Sequence, residues 1–247
     1  MHPPFPFGGE ITVIYGKSNF PSILDVKNIV SGNATLGTIL YGTLNDTLSS
    51  GSILQRGGDF DGDGRGDIVL GDPNGSSDAG KIYESVSVIY GSPGQPAAQT
   101  MDNLLFQNKM LIYEKTNNSR EDLGSGCYLG GDYNNDGYND LLMGSLAFSG
   151  TTGRAYVALG GLPRKVGILD ISAADFTIPA FNPNSFGEVL ASAGDVNNDG
   201  VTDFLISAPN GTNVTNAQGT SGTGRAYLLF STQADAPPPL PDYWLVE

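Results

Sequence analysis

One nine-residue acidic pattern occurs three times in the chain, and each copy runs directly into a short apolar segment. The copies span residues 59–67, 132–140 and 195–203. Each has a short oxygen-bearing side chain at positions 1, 3, 5 and 9 and a glycine at position 6. This spacing lets alternate side chains of a tight loop point towards one hard cation, and Ca²⁺ takes about six to eight oxygen ligands. Glycine at position 6 permits a sharp turn that a Cβ atom would obstruct.

The pattern therefore predicts three calcium sites. A single copy could equally be a solvated acidic turn, but three copies in register, each followed by an apolar run, favour a bound cation. Short ligands and a carboxylate at position 9 favour Ca²⁺ over Mg²⁺, although the sequence does not exclude the smaller ion. Position 7 would contribute its backbone carbonyl, so its side chain is free to vary. The predicted ligands are Asp59, Asp61, Asp63, Arg65 and Asp67; Asp132, Asn134, Asp136, Tyr138 and Asp140; and Asp195, Asn197, Asp199, Val201 and Asp203.

The segments around the loops predict β-strands. An EF-hand would need a loop of about twelve residues between two helices, whereas here each loop leads into a short β-favouring run closed by Gly or Pro. Those runs are residues 68–73, 141–145 and 204–209. Similar segments precede the loops at 51–54, 124–128 and 186–190, and closing segments follow at 87–91, 153–160 and 224–230. A fourth closing segment, residues 9–16, stands alone at the start.

The units resemble FG-GAP repeats, the blades of the integrin α-subunit type of β-propeller. The third unit carries the family's elements as Phe186-Gly187, Gly194-Asp195, Ala208-Pro209 and Gly224-Arg225-Ala226-Tyr227. The second has Leu123-Gly124 for Phe-Gly and Gly144-Ser145 for Ala-Pro, and the first is the loosest match. The resemblance implies an all-β fold of propeller-type blades, stabilised by Ca²⁺, and a role in extracellular adhesion or ligand binding.

The units are too few for an ordinary propeller of this family, which has about seven blades; closed propellers have about four to eight. We expect three full repeats plus one partial blade, either incomplete or completed by another chain. The expected partners are other protein chains, through self-association or as the remainder of a larger propeller. The predicted organisation is a closing strand of a partial blade (1–16), three blades with one calcium loop each (17–91, 92–160 and 161–231) and a Pro-rich tail (232–247).

Charge and composition restrict the partners and the location that we expect for the protein. The 247 residues carry a formal charge of −14, which three Ca²⁺ ions would reduce to −8. Only 12 Lys and Arg residues are present, so nucleic acid is excluded as a partner. No apolar stretch approaches the ~18 residues of a membrane-spanning helix. We expect an extracellular or cell-surface protein whose signal peptide is not present in this chain.

Six acceptor sequons predict a glycoprotein. All of them fall in predicted connections between strands, where a glycan would face solvent. The acceptors are Asn33, Asn45, Asn74, Asn117, Asn210 and Asn213.

An enzymatic role is not expected. His2 is the sole histidine, at the N-terminus, so a Ser-His-Asp arrangement has no base. Two other classes remain. The first is a calcium-stabilised structural or adhesion glycoprotein whose blades assemble with other chains. The alternative is a ligand-binding module, such as a lectin or receptor-type propeller fragment with a glycan ligand, using loops on one face and aromatic residues such as Tyr133 and Tyr138.

One tripeptide, Arg65-Gly66-Asp67, matches the cell-attachment sequence that integrins recognise. Its Asp67 is position 9 of the first loop and is predicted to face the metal rather than solvent.

Overall fold

A computed structural model of the chain describes residues 9–20, 22–42, 53–55, 57–73, 77–78, 81–82, 84–115, 121–146, 153–180, 186–209, 224–231 and 244–246. The regular secondary structure of the described residues is mostly β-strand. Its strands are β1 (Glu10–Ile14), β2 (Gly37–Tyr41), β3 (Ile53–Gln55), β4 (Ile68–Asp72), β5 (Ser77–Asp78), β6 (Lys81–Ile82), β7 (Ser85–Ile89), β8 (Ala98–Thr100), β9 (Met110–Glu114), β10 (Leu123–Leu129), β11 (Leu141–Ser145), β12 (Arg154–Ala158), β13 (Gly167–Asp170), β14 (Phe176–Pro179), β15 (Leu190–Gly194), β16 (Asp203–Ala208), β17 (Arg225–Leu229) and β18 (Trp244–Val246).

Helical structure is confined to connections. Two short helices, α1 (Lys27–Val30) and α2 (Met101–Phe106), and one 3₁₀ turn (Ile171–Ala173) are present in the described ranges. Thr100 begins α2, because its side-chain oxygen accepts a hydrogen bond from the backbone N–H of Asn103 at 3.2 Å. None of the helices in this part of the chain is long and apolar enough to cross a membrane.

Three antiparallel sheets of the same topology form the body of the molecule. The first blade has the strand order β3-β4-β7-β9, the second β10-β11-β12-β14 and the third β15-β16-β17-β18. The partial blade contains β1 and β2, which are antiparallel and correspond to the two outer strands of the others. The all-β fold of three propeller-type blades plus one partial blade, predicted from the sequence, is confirmed.

Each blade has an outer strand, which is the fourth strand of each full blade. It follows the closing segment, which the sequence analysis took as the end of the unit. β2 pairs with β1, β9 with β7, β14 with β12 and β18 with β17. β18 belongs to the segment that the sequence analysis assigned to a Pro-rich tail. A blade therefore has four strands where the repeat pattern predicted three.

Successive blades are joined by strands that cross from one blade to the edge of the one before it. β8, from the connection between β7 and β9, pairs in parallel with β2 of the partial blade. β13, from the connection between β12 and β14, pairs in parallel with β9 of the first blade. Each crossing strand covers an edge of the preceding sheet, so the connections fix the order of the blades.

The hydrophobic cores lie between the sheets. Val69, Val88 and Tyr113 of the first blade pack with Cys127 and Met143 of the second. A second core joins the second and third blades, and a third joins the partial and first blades. Strands such as β7 (Ser-Val-Ser-Val-Ile) are buried along their whole length, because both faces of the sheet are covered. Cys127, the sole cysteine of the sequence, is 1% exposed, and burial raises the pKa of its thiol to about 12.

Candidate metal centres in three repeated loops

Each acidic loop connects the first and second strands of a blade. The first loop joins β3 to β4, the second β10 to β11 and the third β15 to β16. In all three, the apolar residues after position 9 form the second strand, which fixes position 9 at the start of a buried strand. The three loops therefore occupy equivalent places in their blades.

The aspartate at position 1 folds the loop around its own carboxylate. In the first loop, Asp59 Oδ1 accepts from the backbone N–H of Asp63 at 3.0 Å and Oδ2 from that of Gly64 at 2.8 Å. Asp132 makes the same two bonds at 2.9 and 2.8 Å, and Asp195 makes them at 3.0 and 2.9 Å. The three loops share one backbone conformation, set by the same acceptor.

Positions 3 and 5 continue this arrangement. The side-chain Oδ1 at position 3 accepts from the N–H of position 5, at 3.2 Å for Asp61, 3.3 Å for Asn134 and 3.0 Å for Asn197. The Oδ1 at position 5 accepts from the N–H of position 7, at 2.9, 3.0 and 2.9 Å in chain order. These hydrogen bonds hold the oxygen-bearing side chains on the inner side of the turn.

The aspartate at position 9 ties the loop to the third strand of its blade. Asp67 is 3% exposed, and its two oxygens accept from the N–H groups of Phe60 and Gly91, each at 2.8 Å. Asp140 and Asp203, both 0% exposed, bind position 2 of their loops and the residues that end the closing segments, Gly160 and Ser231. The sequence indicated a metal ligand at position 9 but not this second role.

Burial makes the carboxylates of Asp67 and Asp140 costly to ionise without a cation. The pKa of Asp67 is raised to about 6, mainly by burial; the hydrogen bonds from Gly91 and Phe60 lower it, and the charges of Asp61 and Asp59 add to the increase. Burial likewise raises the pKa of Asp140 to about 7, with Asp136 and Asp132 acting in the same direction. A bound divalent cation would favour the charged forms.

The first loop meets the requirements of a calcium site most completely. Carboxylate oxygens of Asp59, Asp61 and Asp67 lie within 4.8 Å of one another. Oxygens on opposite sides of a Ca²⁺ ion are about 4.6–5.2 Å apart, since each lies about 2.3–2.6 Å from the ion. Asp61 is 2% exposed, and its Oδ2 forms an ion pair with Arg164. The donor set therefore fits Ca²⁺, with Asp63 and the carbonyl of Arg65 as predicted further ligands.

Two loop positions require left-handed backbone. Position 6 was predicted to need glycine, and Gly64, Gly137 and Gly200 have φ of 83°, 90° and 90°. Position 4 also has positive φ: 72° at Gly62, 58° at Asn135 and 61° at Asn198. Gly and Asn are the residues that adopt this conformation most readily. The occurrence of only Gly and Asn at position 4 therefore indicated a left-handed backbone that the sequence analysis did not predict.

Neighbouring loops are bonded to each other. The backbone N–H of Asn139 donates to the carbonyl of Asp59 at 3.1 Å, and the N–H of Asp59 donates to Asn139 Oδ1 at 2.8 Å. Between the second and third loops, the N–H of Thr202 donates to the carbonyl of Asp132 at 3.3 Å. Position 8 of one loop thus contacts position 1 of the loop before it, and the candidate sites form a continuous row.

Known proteins are similar to this chain in sequence. The family model of the FG-GAP repeat matches residues 51–84 and 186–229. Two of the three units therefore match the FG-GAP repeat. Integrin alpha-PS2 of Drosophila melanogaster is 25% identical over 239 residues, which cover 92% of this chain and 15% of that protein. Integrin alpha-PS5 of the same species is 30% identical over 162 residues, which cover 61% of this chain and 14% of that protein. The chain thus spans only about a seventh of the length of these relatives.

The middle FG-GAP unit lies outside both matched ranges, yet its loop has the hydrogen bonds of the other two. Its Leu123-Gly124 takes the place of Phe186-Gly187 in the third unit, and Leu123 and Phe186 are both 1% exposed. Gly124 lies against Gly71 of the first blade, and Gly187 lies against Gly144 of the second. The Phe-Gly element therefore supplies one buried side chain and one close backbone contact with the preceding blade.

The Arg-Gly-Asp tripeptide and the two tyrosines considered for ligand binding lie in the first and second loops. Asp67 of the Arg-Gly-Asp tripeptide is buried and bonded within the loop, so it is not presented to solvent. Tyr133 is 4% exposed and packs on Phe204, with ring centroids 3.9 Å apart. Tyr138 packs over Gly62, where a Cβ atom would collide with its ring. Tyr133 therefore offers no free face of the kind that sugar stacking needs.

Of the predicted glycan acceptors, only Asn33 lies in the described part of the chain. It is exposed, and its Oδ1 accepts from the N–H and hydroxyl of Thr35 at 3.2 and 2.7 Å. Asn45, Asn74, Asn117, Asn210 and Asn213 lie outside the described residues.

Proposed function

We propose that this chain is a non-enzymatic, calcium-stabilised module of an extracellular or cell-surface adhesion glycoprotein, whose blades assemble with other chains. The observation that carries the proposal is the set of three loops with one hydrogen-bond pattern, of which the first gathers three carboxylates within 4.8 Å. The similarity to integrin α proteins supports an adhesive role for the same FG-GAP blades.

Calcium would stabilise the blades because the predicted ligands connect three strands of each sheet. Positions 1 to 5 follow the first strand, and position 9 begins the second strand and is bonded to the end of the third. A cation at the centre would neutralise carboxylates that otherwise repel one another across a few ångströms. The predicted ligands of the second and third loops are arranged by the same hydrogen bonds, so we propose one Ca²⁺ in each loop.

Assembly with other chains is supported by the partial blade. In the described part of the chain β1 pairs only with β2, so one side of β1 presents unpaired backbone groups. An unpaired strand edge is a template for another strand. We propose that the first and second strands of an FG-GAP blade from another chain, or from the rest of a longer protein, complete this sheet.

Thermal unfolding of the protein in 1 mM CaCl₂ and in excess EDTA tests the calcium proposal. With a Kd of about 10⁻⁴ M, in the range of extracellular sites, each ion would stabilise the fold by about 1.4 kcal/mol at 1 mM calcium. We expect a large decrease of Tm in EDTA and only partial recovery with MgCl₂. An identical Tm in both solutions would overturn the proposal.

Light scattering in calcium tests the assembly proposal separately. The chain has a mass of 25.8 kDa, and we expect dimers or larger species. A single monomeric species at every concentration would overturn self-association and leave a different chain, or the rest of a longer protein, as the partner.

A further inference from the structure

Arg164 brings a positive charge from the second unit into the first loop. It lies in the connection between β12 and β13, about 100 residues from the loop that it contacts. Its Nη2 forms an ion pair with Oδ2 of Asp61 and lies 3.5 Å from Oδ2 of Asp63. One guanidinium thus contacts two of the predicted calcium ligands, and the Asp61 oxygen it meets accepts no other hydrogen bond from the described residues.

The guanidinium is held in place from several sides. Its Cζ lies 4.5 Å from the centroid of the Tyr90 ring, within the range of a cation–π contact. Tyr90 is 1% exposed and donates its hydroxyl to the carbonyl of Lys165, the residue after Arg164. At the start of the same connection, the N–H of Gly161 donates to the carbonyl of Phe60 in the first loop at 2.7 Å. These contacts fix the position of Arg164 relative to the loop.

A comparison of the three loops explains why this one receives an arginine. The first loop has Asp61 at position 3, whereas the second and third have Asn134 and Asn197. The first therefore carries four carboxylates and the others three. Arg164 offsets the additional charge, and within the described ranges no Lys or Arg forms an ion pair with the second or third loop. Arg65 also contacts Asp63, at 3.1 Å, but its side chain is 49% exposed and therefore screened by solvent.

We infer that Arg164 is a tethered counter-charge that competes with Ca²⁺ for Asp61 and so sets the calcium affinity of the first site. The inference rests on the calcium binding proposed above and adds to it a residue outside the loop. Without calcium, the guanidinium neutralises Asp61 and holds the connection before β13 against the first blade. When calcium binds, the ion replaces the guanidinium as the positive charge beside Asp61. The calcium affinity of the first site therefore depends on a residue of the second unit.

Substitution of Arg164 should change affinity and metal-free stability in opposite directions. We expect R164Q to raise the calcium affinity of one of the three sites by about tenfold, because a positive charge near the ion is removed. The same variant should lower Tm in EDTA more than in calcium. The measurements are isothermal titration of the EDTA-stripped full chain with CaCl₂ and thermal unfolding in both solutions.

Two further variants make the test independent of the folding of R164Q. D61N alone should lower the affinity of the first site, since Arg164 then faces only three carboxylates. D61N/R164Q gives the first loop the composition of the second and third, so it should fold and recover affinity lost in D61N. K165Q is the matched control: Lys165 lies in the same connection but pairs with Asp175 at 2.9 Å, outside the loops. We expect K165Q to bind calcium as the wild type does.

The outcomes separate this inference from the calcium proposal. If the wild type binds no calcium, both are overturned. If the wild type binds calcium, and R164Q leaves every affinity unchanged while lowering Tm equally in calcium and EDTA, Arg164 is a packing residue and only this inference is overturned. Failure of D61N/R164Q to recover affinity relative to D61N would also contradict it.

Discussion

Asn135 and Asp136 are adjacent in the second loop but have different roles, as the backbone of the first and the hydrogen bonds of the second indicate. Asn135 has a φ of 58°, and its side chain is exposed. Asp136 has an Oδ1 that accepts from the N–H of Tyr138 at 3.0 Å and an Oδ2 that meets Nδ2 of Asn134 at 2.9 Å. Asn135 therefore serves the turn, whereas Asp136 has the side-chain arrangement of a ligand.

We predict that D136A lowers the calcium affinity of one site by more than about tenfold, because a charged oxygen ligand is lost. If the second site is then empty at 1 mM calcium, about 1.4 kcal/mol is lost and Tm should fall by about 3–6 °C. Alanine at Asn135 is a poor control, since it is strained at positive φ. N135G keeps the left-handed conformation, and glycine occupies this position in the first loop. Titration calorimetry and thermal unfolding check the pair; equal affinity in D136A and N135G would contradict the ligand assignment.

For single residues, the sequence predicted which loop positions carry ligand oxygens, but not all the contacts that these side chains make. Positions 1, 3, 5 and 9 could be proposed from spacing, because ligand geometry is local to the loop. The bonds from Asp67 to Gly91 and from Asp140 to Gly160 join residues more distant in the chain. Arg164 could not be found at all, since only the fold brings it to the first loop.

Between elements, glycine lets the backbones of successive blades lie against each other. A Cβ atom on Gly144 of β11 would collide with the backbone carbonyl of Gly187, which precedes β15. A Cβ on Gly71 of β4 would meet the carbonyl of Gly124 in the same way. Backbone cannot move aside as a side chain can, so the second strand and the next Phe-Gly element must both stay without side chains here.

We predict that G144A destabilises the fold by roughly 1–3 kcal/mol, because the second and third blades must separate to admit the methyl group. Ser207 occupies the matching position of the third blade, so S207A is the control and should cost less, through one hydrogen bond to the N–H of Val189 at 3.0 Å. Urea unfolding in calcium measures both. Equal midpoints would show that the blades are not in contact at Gly144.

The inner strands of each blade were predicted, whereas the outer and crossing strands were not. The inner strands flank the acidic loops and recur with them. Each copy of the pattern therefore strengthened the strand prediction for the other copies. The outer strands β2, β9 and β14 read Gly-Thr-Ile-Leu-Tyr, Met-Leu-Ile-Tyr-Glu and Phe-Thr-Ile-Pro, with no shared motif. Their positions depend on long-range pairing with a neighbouring strand, and short edge strands have weak local preferences.

For the molecule as a whole, the decisive feature is the side of β1 that, among the described residues, pairs with no other strand. The N–H of Gly42 donates to the carbonyl of Gly9, and the N–H of Tyr15 donates to that of Leu36. In the antiparallel register of β1 and β2, these bonds point the N–H groups of odd-numbered residues of β1 towards β2. The N–H groups of even-numbered residues, Thr12 among them, point to the free side. Ile14 is 45% exposed on this strand.

We predict that T12P reduces assembly while leaving the blades folded. Proline removes one outward N–H and obstructs an added strand, yet it is tolerated at a sheet edge because no bond to β2 is lost. T12V keeps the N–H and the β-branched shape, so it should assemble as the wild type does. Light scattering of the three proteins in 1 mM CaCl₂ gives their masses, and thermal unfolding shows whether T12P is still folded. A folded T12P of unchanged mass would mean that the chain associates through a surface other than β1, and the adhesive assembly proposed here would have to be built without strand addition at the partial blade.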